Sequence, residues 1–105
     1  MEQPNINYIN KLSGDNEAIK SKMIGILKKE LPQETTTYNK QMQNKEFIFA
    51  AQSVHKLKHK IAVLGLEKSY YLAEKFENNL KNNEVDLQSS FEYVLALMNQ
   101  FVVEL

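Results

Sequence analysis

Apolar positions recur along this chain at intervals of three and four residues, the spacing of an amphipathic helix, and strand-like alternation is not sustained anywhere. The pattern predicts an all-α protein. A short first helix is expected over about residues 5–12, with Ile6, Ile9 and Leu12 facing inward. Ser13-Gly14-Asp15 reads as a turn, and Asp15 is the candidate N-cap of the next helix. That second helix is predicted over about residues 16–31 on a stripe of Ile19, Met23, Ile26 and Leu27. Lys28 and Lys29 suit the negative end of its dipole. Pro32 should break or kink it, and a weaker helical segment follows to about residue 43.

The third helix is expected over about residues 45–64, with Phe47, Ala50, Val54, Leu57, Ile61 and Leu64 inward. Gly65 is a natural residue just past its end. The fourth is expected over about residues 67–82, with Leu66, Tyr70, Ala73, Phe76 and Leu80 inward. The last runs from about residue 87 to the C-terminus on Leu87, Phe91, Val94, Leu95, Met98, Phe101 and Val102. Four long amphipathic helices with short connections predict an antiparallel four-helix bundle with a short additional N-terminal helix. No repeat or linker divides it, so residues 1–105 read as a single domain.

Composition narrows the function classes. Lysine plus arginine number 13, as do aspartate plus glutamate, so no global field draws the protein to nucleic acid or an anionic membrane. There is no cysteine, which rules out a disulfide framework and a thiolate site. No apolar run approaches about 20 residues, and no basic-then-apolar leader opens the chain. A cytoplasmic protein is the expectation. No glycine-rich phosphate loop is present, so no kinase activity of its own is expected. Met23, Met42 and Met98 read as core filler.

The chemistry-bearing residues lie on the third and fourth helices. On a wheel advancing about 100° per residue, His55 falls about 130° from the centre of the inward stripe and should face solvent. Ile48, Ala51 and Ala62 share its side as a low, mildly apolar strip, and Gln52 and His59 complete that face as candidate partner contacts. Lys58 is one turn from His55 and within reach of whatever His55 carries. Glu77 falls inside the inward stripe of the fourth helix, where a carboxylate is costly unless paired. Its candidate partners are His55 and Lys58 on the adjacent helix. The alternative is that Glu77 reaches the bundle edge and its stem merely covers apolar surface. A Glu77 carboxylate accepting from His55 Nδ1–H would leave Nε2 free as a nucleophile. His55 and His59, four residues apart, have the spacing of a metal-chelating pair, but a site needs further ligands, so no metal or other cofactor is assigned.

The segment Ala51-Gln52-Ser53-Val54-His55-Lys56-Leu57-Lys58-His59-Lys60-Ile61-Ala62-Val63-Leu64-Gly65 resembles the histidine-containing phosphotransfer (HPt) family. That family shows a His-x-Leu-Lys core and a Leu-Gly pair closing the helix, here His55, Leu57, Lys58, Leu64 and Gly65. Leu12-Ser-Gly-Asp15, Glu30-Leu-Pro32 and the helix from Leu72 to Lys81 also look like family landmarks. The resemblance implies a multistep phosphorelay. His55 would be phosphorylated, Lys58 would contact the phosphoryl group and Glu77 would orient the histidine. Partners would be response-regulator receiver domains, a hybrid sensor kinase, or both. The receiver would supply the aspartate and Mg²⁺, and the carrier would be monomeric. One position departs: the family usually has glycine after the lysine, where this chain has His59. Obstruction of a receiver, tuned partner choice and loss of transfer are the three readings of that change. The last would make the protein a non-catalytic, HPt-like interaction module.

Overall fold

The computed structural model describes residues 2–105. Among them are five α-helices and no strand: α1 (Asn7–Ser13), α2 (Glu17–Gln43), α3 (Phe47–Val63), α4 (Glu67–Lys81) and α5 (Gln88–Val103). Each helix contacts the next, and α5 returns against α2, so the four longer helices enclose one apolar cluster. The central helix is α3, packed most extensively on α4 and then on α2. No helix among the described residues is long and apolar enough to cross a membrane.

The centre of the core is aromatic. Tyr38, Phe76 and Phe91 come from α2, α4 and α5 and are fully buried. Their ring centroids lie 5.1 Å apart for Phe76–Phe91, 5.3 Å for Tyr38–Phe91 and 6.4 Å for Tyr38–Phe76. These separations suit tilted and edge-on contact. The Tyr38 hydroxyl donates to Glu92 Oε2 at 2.9 Å, so the one polar atom of the cluster is satisfied. Burial first, and then the Glu92 carboxylate, pushes the Tyr38 phenol well above its ordinary range.

Several helix details correct the sequence expectation. Pro32 does not break the helix: α2 runs through it for 27 residues. An internal proline costs about 3 kcal/mol, whereas burying Tyr38 and Met42 beyond it returns about 1.5–3 kcal/mol each. The Thr35, Thr36 and Thr37 hydroxyls bond back to the carbonyls of Leu31, Pro32 and Gln33 around the proline. Asn16, not Asp15, is the N-cap of α2; its Oδ1 accepts from Ile19 N–H at 3.1 Å. Ile19 and Ile26 are exposed rather than inward, while Leu27 is buried. At 1.5 Å per residue α2 is about 40 Å long and α3 about 25 Å, so α3 cannot cover the whole of it. Leu12 is exposed too, and Ser13 takes the inward position on α1 with its hydroxyl bonded to Ile9 O. On the wheel Ser13 lies about 20° from Ile6, and Leu12 about 120°.

The turn that carries α3 into α4 is held from the N-terminal segment. Gly65 adopts φ +76°, with its N–H on Ala62 O and the Leu66 N–H on Ile61 O. This is the paired closure favoured by a left-handed residue after a helix. Asn5 N–H donates to Leu64 O at 2.9 Å, and the Asn5 side chain lies over Gly65. The carboxylate of Glu2 then accepts from the Lys68 and Ser69 N–H groups at 2.7 and 3.0 Å and from the Ser69 hydroxyl. Leu66, at the N-cap of α4, offers no side-chain bond. Glu2 therefore caps α4 from a distant part of the chain. Burial acts against the ionised form of Glu2, but those donors outweigh it and hold the carboxyl below its ordinary value.

Two glycines test this account in opposite directions. A Cβ at Gly25, inside α2, meets open space, so Gly25→Ala should stabilise the fold by about 0.5–1 kcal/mol. A Cβ at Gly65 would lie 2.7 Å from Asn5 Nδ2 and would meet the left-handed backbone penalty, so Gly65→Ala should cost about 1–2 kcal/mol. Urea midpoints that move together in one direction would contradict it.

Candidate functional site

Helix α3 buries Ala50, Ala51, Ser53, Val54, Leu57, Lys58 and Ile61 and leaves His55, Gln52, Lys56, His59 and Ala62 outside. The His55 side chain is 54% exposed, against 11% for Glu77 on α4. Nδ1 of His55 lies 3.2 Å from each Glu77 carboxylate oxygen. The rest of the Glu77 carboxylate is filled by cations. Lys58 Nζ stands 3.2 Å from Oε1 and Lys81 Nζ 3.6 Å from Oε2.

These contacts explain how a carboxylate survives on an inward stripe. Burial disfavours its charge, but hydrogen bonds from Lys58 and then His55 outweigh that, holding the Glu77 carboxyl below its ordinary value. An ionised carboxylate only accepts hydrogen bonds, so the nitrogen facing it, Nδ1, carries the ring proton. Nε2 is then the nitrogen with the free lone pair. Lys58 and His55 thus keep Glu77 ionised against burial, and that charge sets the tautomer of His55.

Of the two places the sequence offers Lys58, beside the exposed His55 or on Glu77, the structure shows the second. Its side chain is 9% exposed and turned inward, with the ammonium on Glu77, 3.9 Å from Glu74 and 5.5 Å from the Tyr70 ring centroid. It grips Glu77 rather than facing outward beside His55. The cations that share the open side of His55 are Lys56 and Lys81, which line a hollow of about 480 Å³ with Ala51, Gln52, His55 and Glu77. Lys81 was not singled out from the sequence, although its place four residues after Glu77 is an ion-pair spacing.

The candidate partner face divides. Ile48, Gln52, His59 and Ala62 are exposed, while Ala51 is 1% exposed and floors the hollow instead of standing at the surface. His59 lies edge-on to His55 with ring centroids 5.2 Å apart. It also borders a second hollow of about 220 Å³ on the α2 side, with Met23, Ile26, Leu27, Lys60 and Val63. Lys60 is tied to α2 by Glu34 at 2.9 Å and Glu30 at 3.0 Å. Burial opposes its charge, yet these carboxylates raise its pKa above the ordinary lysine value. Comparison with protein-family models, with curated proteins and with solved structures finds no match to this chain.

Removing the carboxylate should expose what it holds. Glu77→Gln leaves the Lys58 ammonium buried against a neutral amide, and should cost on the order of 2–3 kcal/mol at neutral pH. A carboxyl held low in the folded state contributes stability above its ordinary value near 4.5 and loses it as pH falls through the folded value. The gap between wild type and Glu77→Gln in urea unfolding should therefore be full at neutral pH and close in acid. A gap that stays constant down to strong acid would remove Glu77 ionisation from the account.

Proposed function

We propose that this protein is a histidine phosphotransfer protein of a multistep phosphorelay, built as an HPt-like antiparallel four-helix bundle with an extra N-terminal helix. The observation that carries the reading is the exposed His55 ring, held through Nδ1 by the buried Glu77 carboxylate. Nε2 attacks the phosphorus of an aspartyl phosphate on a receiver domain. The N–P bond forms as the P–O bond to the aspartate breaks, and the electron pair leaves on the receiver's carboxylate. Nδ1 keeps its proton, and the positive charge that develops on the ring faces Glu77. A second receiver aspartate reverses the step and takes the phosphoryl group away. The receiver brings the Mg²⁺ and the carboxylates for the transition state. The carrier brings an oriented imidazole and the flanking cations Lys56 and Lys81. Lys58 acts by fixing Glu77, with contact to the phosphoryl group requiring it to leave that pair.

In this reading the docking surface is the exposed side of α3, with Ile48, Gln52, His59 and Ala62 around His55. The partners are receiver domains, alone or within a hybrid kinase, and the protein is a cytoplasmic monomer without kinase activity of its own. A module that binds a receiver without carrying phosphate would use the same face. Its best support is His59, whose ring stands against His55 where a small residue would leave the approach open.

Incubation with phosphorylated receiver domains separates the two. The carrier reading expects an acid-labile, base-stable label on His55 that His55→Gln abolishes. Complex formation without any such label would establish the binding module, and label that survives in His55→Gln would remove His55 as the carrier.

A further inference from the structure

His55 and His59 form a second chemical unit on the exposed side of α3. They stand one helical turn apart, with ring centroids at 5.2 Å and planes at 87°. Both are solvent-exposed. Two imidazoles four residues apart on one helix face are the arrangement by which zinc-binding helices supply two of their ligands. The spacing alone is common. What changes its standing is Glu77. A metal-ligating histidine characteristically gives its other ring N–H to a carboxylate, which fixes the ring and makes the free nitrogen more basic. His55 already has that partner, with Nδ1 3.2 Å from both Glu77 oxygens.

We propose that His55 Nε2 and a ring nitrogen of His59 chelate one divalent transition-metal ion of the Zn²⁺, Ni²⁺ or Cu²⁺ type. Each nitrogen must come to about 2.0–2.1 Å from the ion. The rings stand edge-on at 5.2 Å, so chelation requires the exposed His59 ring to turn while His55 stays on Glu77. Imidazole selects these ions over Mg²⁺ and Ca²⁺, which prefer oxygen ligands. The cations nearby do not forbid it. Lys58 and Lys81 share the Glu77 carboxylate, Lys60 is held by Glu30 and Glu34, and Lys56 in the adjoining hollow is a single flexible cation that can turn into solvent. No group of three or more metal-ligating side chains occurs among the described residues, so the remaining coordination positions belong to water. The site is open, and its ion exchanges with solvent. An ion on Nε2 occupies the same lone pair that phosphorylation of His55 would use, so the two states exclude each other.

The inference rests on the ring pair and Glu77, and its test does not depend on phosphotransfer. The full chain is titrated with Zn²⁺ at neutral pH while the two histidine ring C–H resonances are followed by NMR. Both should move together to saturation at one ion per chain, and Mg²⁺ should move neither. His59→Ala, on the exposed face, should leave the urea midpoint unchanged and weaken Zn²⁺ binding by about tenfold or more. Glu77→Gln should weaken it by about tenfold to a hundredfold. Zinc binding of wild-type strength in His59→Ala, or a response from one histidine alone, would overturn the proposal.

Discussion

Glu77 is a charge on the inward side of a helix, and much of this structure is arranged around making that tolerable. An unpaired carboxylate there would cost several kcal/mol or protonate. Instead α3 sends Lys58 inward to meet it, α4 adds Lys81 one turn along, and His55 closes the exposed edge. None of these contacts is interchangeable. The lysine is buried with its partner and keeps the carboxylate ionised. The histidine is exposed, and the ionised carboxylate fixes which of its nitrogens is free. A contact that holds α3 to α4 is therefore also the contact that orients the exposed imidazole.

The same logic recurs on the other side of α3. Lys60 reaches α2 and is clamped by Glu30 and Glu34, one helical turn apart. Lys58 and Lys60 thus tie α3 to both neighbours, while Leu57 and Ile61 fill the core beside them. His55 rides on a helix restrained along both flanks. That rigidity matters for a group whose chemistry depends on direction, because an imidazole free to rotate would present either nitrogen. The N-terminal segment extends the restraint. By capping α4 through Glu2 and lying on Gly65 through Asn5, it fixes the start of the helix that delivers Glu77.

How much of this could be read from the residues follows from how each feature is encoded. Helices α3, α4 and α5 lie within two residues of their predicted bounds, because each carries a sustained apolar stripe that only one orientation can bury. The outward position of His55 and the inward position of Glu77 follow from the same stripes. The failures have a common origin in tertiary context. Pro32 reads locally as a break, and what favours a continuous α2 is the burial of Tyr38 and Met42 beyond it, which no local pattern at the proline shows. Ile19 and Ile26 continue the apolar pattern but lie on the exposed side of α2, while Leu27 beside Ile26 is buried. Glu2 gives no local sign that it caps a helix more than sixty residues away.

Histidine at position 59 has one physical consequence whichever use of His55 prevails. With it, the α2 side of His55 is lined by a second imidazole 5.2 Å away, and the free approach lies over the hollow of Lys56 and Lys81. An incoming anion meets cations on that route. An incoming transition-metal ion meets two nitrogen donors on the other. The orientation imposed by Glu77 serves both, since each needs Nδ1 protonated and Nε2 bare. Competition between the two proposed uses would then be a property of one lone pair, and would need no conformational change in the helices that display it.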